Sequence, residues 1–105
     1  MREVILCADG DSVVYAVPDE VANNLRKYCI DFCNKWIWQS PNATQYRKTD
    51  ENGEVYVVYC ETDFIDYLNE YVFPEQKSVF VKNLGWTNFG KSLSVEYRSY
   101  PYFNF

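Results

Sequence analysis

Two Asx-Gly dipeptides, Asp9-Gly10 and Asn52-Gly53, each lie between β-favouring runs, and each pair of runs is followed by a helix-start signal. Asp-Gly and Asn-Gly favour two-residue hairpin turns because both central positions need positive φ. Residues 3–8 are thereby joined to 12–17, and 44–49 to 54–61, as antiparallel pairs. Two further strands are expected at 79–82 and 93–97. The order β-β-α-β-β-α-β-β predicts an α+β fold, an antiparallel sheet with two helices packed on one face, formed by residues 1–105 as a single domain.

Pro18-Asp19-Glu20 opens the first helix, with proline suited to the first turn and two acids complementing the positive end of the helix dipole. At about 100° per residue, Val21, Ala22, Leu25, Tyr28, Cys29, Phe32, Cys33 and Trp36 share one face, with Ile30 and Ile37 at its edge. The helix is expected to reach about Trp38, where Gln39-Ser40-Pro41 ends it. Trp38 then either projects from the polar face as an exposed anchor or folds back onto the body.

Residues 54–61 place Val55, Val57 and Tyr59 on one side and Tyr56, Val58 and Cys60 on the other, which predicts a central strand apolar on both faces. Thr62 or Asp63 is expected to cap the second helix, which Pro74 stops. Phe64, Ile65, Leu68, Tyr71 and Val72 form its apolar arc. Asp63, Asp66 and Glu70 fall on the outer side beside Tyr67.

That helix belongs to a larger acidic segment. Residues 50–75 hold eight carboxylates and no Lys or Arg, interleaved with six Tyr or Phe rings. The whole-chain charge of -5 conceals this block, because residues 1–49 balance and 76–105 are net basic. An acidic protein gains nothing by neutralising phosphates, so direct binding to nucleic acid or anionic lipid is disfavoured. A basic protein surface is the better match, including that of a nucleic-acid enzyme whose channel carboxylates would occupy in place of phosphates.

The chain contains no histidine, which removes the commonest general acid/base and metal ligand. No phosphate loop, nucleophile elbow or carboxylate metal motif is present, and the chain is read as a non-enzyme without metal or cofactor. Cys7, Cys29, Cys33 and Cys60 follow no zinc or disulfide spacing and are expected to be buried free thiols. With no signal-peptide pattern or apolar stretch of membrane-spanning length, a cytoplasmic protein is expected.

The sequence thus points to a protein-binding module, an inhibitor of the kind carried by phages and mobile elements. Its expected partner-binding residues are Glu61, Asp63, Asp66, Tyr67, Glu70 and Glu75, with Trp38 and Trp86 as aromatic anchors. The alternative is a small-molecule or nucleotide-like ligand site built from aromatic rings and closed by the 85–90 loop, with a homodimer as one arrangement. The ring-dense tail, residues 97–105, is expected to pack across its own sheet or against a partner.

Overall fold

The computed structural model describes residues 1–8, 10–86 and 93–105. Strands β1 (Arg2–Cys7) and β2 (Asp11–Val17) pair antiparallel, with Val4 opposite Tyr15 and Leu6 opposite Val13. Gly10 beside this turn has φ 107°, the left-handed conformation that the Asp-Gly signal anticipates; Asp9 lies outside the described residues. Alternation along the two strands sends Val4, Leu6, Val13, Tyr15 and Val17 into the main core, while Ile5 and Val14 face a second cluster.

The fold is α+β, and its larger sheet is mixed rather than antiparallel. Strand β5 (Val79–Trp86) adds antiparallel to β2, while β6 (Tyr102–Asn104) adds parallel to β1, giving the order β5-β2-β1-β6. The strand expected at 93–97 does not form, and Val95–Tyr97 is a 3-10 turn. Leu93, Tyr97 and Tyr100 instead pack on Ile5 and Val14, so this segment covers the second face of the sheet. The crossing delivers the tail alongside β1, where Ile5 N–H donates to Pro101 O at 2.8 Å and Phe105 N–H to Cys7 O at 2.7 Å. The aromatic tail therefore packs on its own sheet.

After Pro18 the first helical stretch runs as α1 (Asp19–Asn23), α2 (Leu25–Ile30), a π-helical segment (Asp31–Trp36) and α3 (Ile37–Gln39). It is interrupted at Asn24, whose φ of -132° and ψ of 38° lie outside the helical region. Val21, Leu25, Cys29, Phe32 and Ile37 are buried as the periodicity predicts. A 3-10 turn (Pro41–Tyr46) follows, with Ser40 Oγ accepting from Asn42 N–H at 3.1 Å, and it takes up part of the expected 44–49 strand.

Strands β3 (Arg47–Thr49) and β4 (Val55–Val57) form a separate two-stranded ribbon. Its turn is held by Asp50 Oδ1, which accepts from Asn52 and Glu54 N–H groups, both at 2.9 Å, with Gly53 at φ 81°. The 54–61 segment is thus not a central strand, and Val55, Tyr56 and Val58 are exposed. The central places are held by β1 and β2, which are apolar on both faces.

Helix α4 (Glu61–Tyr67) continues into a π-helical turn (Leu68–Val72), closed by Phe73 N–H donating to Leu68 O at 2.7 Å. Phe64, Ile65 and Leu68 enter the same cluster as the first helical stretch and the inner residues of β1 and β2, so both helices cover one face of the sheet. Phe32 is the hub: the rings of Trp36, Tyr59, Phe64, Tyr67 and Phe105 surround it at 5.3–6.1 Å between centroids. All four cysteines are free thiols; Cys7 and Cys29 are buried, Cys33 and Cys60 half-buried. No helix among the described residues is long and apolar enough to cross a membrane.

Candidate functional site: an acidic and aromatic helix face

Helix α4 is set in place by its start. Cys60, not Thr62 or Asp63, is the N-cap residue, and its N–H donates to Asp63 Oδ2 at 2.9 Å. Asp63 is therefore the third residue of the helix and closes its first turn, where a carboxylate also meets the positive end of the dipole. From this start, Asp63, Asp66, Tyr67 and Glu70 follow an i, i+3, i+4, i+7 spacing, which on a helix is one continuous stripe. In most helices such a stripe is apolar; here it holds three carboxylates and a phenol ring.

The π-helical turn brings a second phenol ring beside this stripe. An i→i+5 turn holds more residues than an α turn, so each residue after Leu68 advances by a smaller angle. Tyr71, expected in the buried arc, is consequently 47% exposed. There its ring meets Trp36, 5.2 Å away between centroids. Trp36 comes from the other π-helical segment and also contacts Tyr67 at 4.9 Å and Tyr46 at 6.1 Å.

The same carboxylates act on both the helix and the ring cluster. The Asp66 carboxyl is raised above its ordinary value, first by partial burial and then by the charges of Asp63 and Glu70. Burial and the same three carboxylates also push the Tyr46 phenol up, with a hydrogen bond to Gln45 opposing them. The ion pairs among the described residues join Met1 to Asp19 at 3.1 Å and Lys35 to Asp31 at 3.5 Å, and none reaches Asp63, Asp66 or Glu70. Arg47, close in sequence, donates to the carbonyls of Ile37 and Ser40 at 3.0 and 2.9 Å, closing the end of α3.

The remaining expected residues are dispersed. Glu61 is 8% exposed and lies inside the first turn of α4, so it does not join the outward row. Glu75 is exposed in the connection to β5. Trp38 stands exposed on α3 rather than folded back. Trp86 is 70% exposed at the end of β5, beside Gly10 across the sheet edge. Gly85 and Trp86 close β5, while residues 87–90 of the anticipated loop lie outside the described residues. A surface depression of about 650 Å³ beside Asn23, Arg26, Ile30 and Asn34 has no aromatic ring among the described residues that line it. Trp36, Tyr46 and Tyr71 were not anticipated at the site. Their only signal in the sequence is ring density, which a buried core explains equally well.

Comparison with family models, curated proteins and solved structures yields no match for this chain.

Proposed function

We propose that this chain is a small acidic protein-binding module that docks the outer face of α4 onto a basic surface of a partner protein and blocks it. The observation that carries this reading is the stripe Asp63, Asp66 and Glu70, whose central carboxyl is raised by partial burial and then by its two neighbours, and which has no ion-pair partner among the described residues. Like charges held together without a countercharge cost stability in the free protein, and a cationic partner relieves that cost on docking. Tyr67, Tyr71 and Trp36 supply the ring area that such an interface needs for desolvated contact. A nucleic-acid enzyme is the favoured target, because carboxylates along a helix can occupy a channel shaped for phosphates. The reading is of a binding protein acting in the cytoplasm, not of an enzyme.

The test is affinity capture at low salt from a lysate of the native host, followed by measurement of the captured partner's affinity for the wild type and for the Asp66→Lys/Glu70→Lys variant. Loss of binding by the folded variant, and release of the partner by duplex DNA as competitor, are the expected results. Unchanged affinity at low salt rejects the stripe as the contact.

A further inference from the structure

We infer that the α4 face takes an arginine side chain of its partner as its principal anchor; this rests on the binding reading above and names the chemistry it selects. The inference stands on the joining of two features in one place. Asp66 and Glu70 share the outward helix stripe with Tyr67, and the π-helical turn brings Tyr71 beside it. The two rings lie 4.9 and 5.2 Å from that of Trp36, and the charges of Asp63, Asp66 and Glu70 act on Tyr46, whose ring is 6.1 Å from Trp36. Tyr71 is 47% exposed, so part of its surface is available to a ligand.

A guanidinium is planar, weakly hydrated and carries a fork of N–H donors. It can lie on a ring face while its edge donates to a carboxylate, satisfying both features with one group. A lysine ammonium is a compact, strongly hydrated charge that pairs with the carboxylates yet gains less from the rings. A surface of carboxylates alone would discriminate little between the two cations. The chain's nearby Arg47 cannot serve as the internal occupant, since its guanidinium is engaged by the Ile37 and Ser40 carbonyls.

The experiment titrates the intact protein with an oligo-arginine peptide and an oligo-lysine peptide of equal length, at low salt, by calorimetry. The wild type is expected to bind oligo-arginine about five- to tenfold more tightly, the scale of a partly desolvated cation–π contact. Tyr71→Leu, which keeps every charge, should remove that preference while leaving oligo-lysine affinity in place. Asp66→Asn/Glu70→Gln should weaken both peptides, with circular dichroism confirming the fold of each variant. Equal affinity for the two peptides, or a preference that survives Tyr71→Leu, overturns the arginine assignment and leaves the basic-surface reading intact. Failure of both peptides to bind the wild type overturns the two together.

Discussion

The ring of Phe105 stands edge-on to that of Phe32, 6.1 Å away between centroids and at 79° to it. One contact thus ties the strand-bearing tail to the hub of the helical layer. Phe105 also meets Tyr59 at 5.8 Å and Phe64 at 5.6 Å, so it shares two of the hub's own neighbours. Phe32→Ala is expected to lower stability by about 3–5 kcal/mol and Phe105→Ala, at a half-buried site, by about 2 kcal/mol. Because the rings share partners, the double variant should lose less than the sum. Urea denaturation of the four proteins checks this; strict additivity would show that the contact does not couple tail and helices.

The second expectation concerns the acidic stripe. The folded-state carboxyl of Asp66 holds its proton more tightly than in the unfolded chain, owing to burial, Asp63 and Glu70. Its contribution to stability is therefore complete below the unfolded value and is lost as pH rises through the raised folded value. Asp66→Asn should stabilise the protein at neutral pH by about 0.5 kcal/mol, less in high salt, and the two proteins should converge at acid pH. Denaturation midpoints across that range decide the matter; a destabilised variant at neutral pH would contradict it.

Tyr59 gives a transition at the other end of the scale. Burial, reinforced by Cys33, pushes its phenol up to about 12 from an ordinary 10.0. The neutral ring is favoured in the fold, so its contribution is full below the unfolded value and fades as pH rises through the folded one. Tyr59→Phe should flatten the alkaline loss of stability in that window, and an ultraviolet titration should lose one late-ionising phenol. An unaltered titration tail would refute the assignment.

Thiol accessibility offers an independent check on the core. Cys29 is fully buried and its thiol is raised, by burial first and by Cys33 second, whereas Cys60 is half-buried at the start of α4. Alkylation of the native protein, read by peptide mass spectrometry, should modify Cys60 well before Cys29, and denaturation should erase the difference. Early labelling of Cys29 would show that the helical layer opens readily.

Gly10 is constrained twice. Its φ of 107° is strained for any side chain, and a Cβ there would fall 2.7 Å from Trp86 Cδ1. Gly10→Ala should cost about 1–3 kcal/mol. Adding Trp86→Ala relieves the collision but not the backbone strain, so thermal denaturation should show partial recovery; full recovery would assign the whole effect to the indole.

Much of this architecture was legible wherever a period was regular. The Asp-Gly signal predicts the pairing of β1 with β2, and the spacing from Val21 to Phe32 predicts the buried helix face. That β1 and β2 hold the central places is not marked, because Val4, Ile5, Leu6 and Val13, Val14, Tyr15 are unbroken apolar runs whose two faces only packing separates. The period failed where the helix itself changes pitch: Tyr71 reads as core at α-helical spacing and emerges at the surface because the turn from Leu68 is wider. Strand β6 was hidden because three residues, Tyr102–Asn104, carry no alternation, and their place is decided by distant β1. At the site, the carboxylates of Asp63, Asp66 and Glu70 announced themselves through charge, whereas the ring partners Trp36, Tyr46 and Tyr71 come from three segments that only tertiary packing assembles.

The parallel pairing of Ile5 with Tyr102 and Leu6 with Phe103 carries a kinetic consequence. Nearly the whole polypeptide must be reeled in before these partners meet, and that closure entropy is spent ahead of any hydrogen bond it earns. The hairpin and helices can assemble early, leaving β1 with an open flank until the tail arrives. Docking of that last strand is the step at which this protein would linger, and the step a neighbouring molecule in a crowded refolding mixture could intercept.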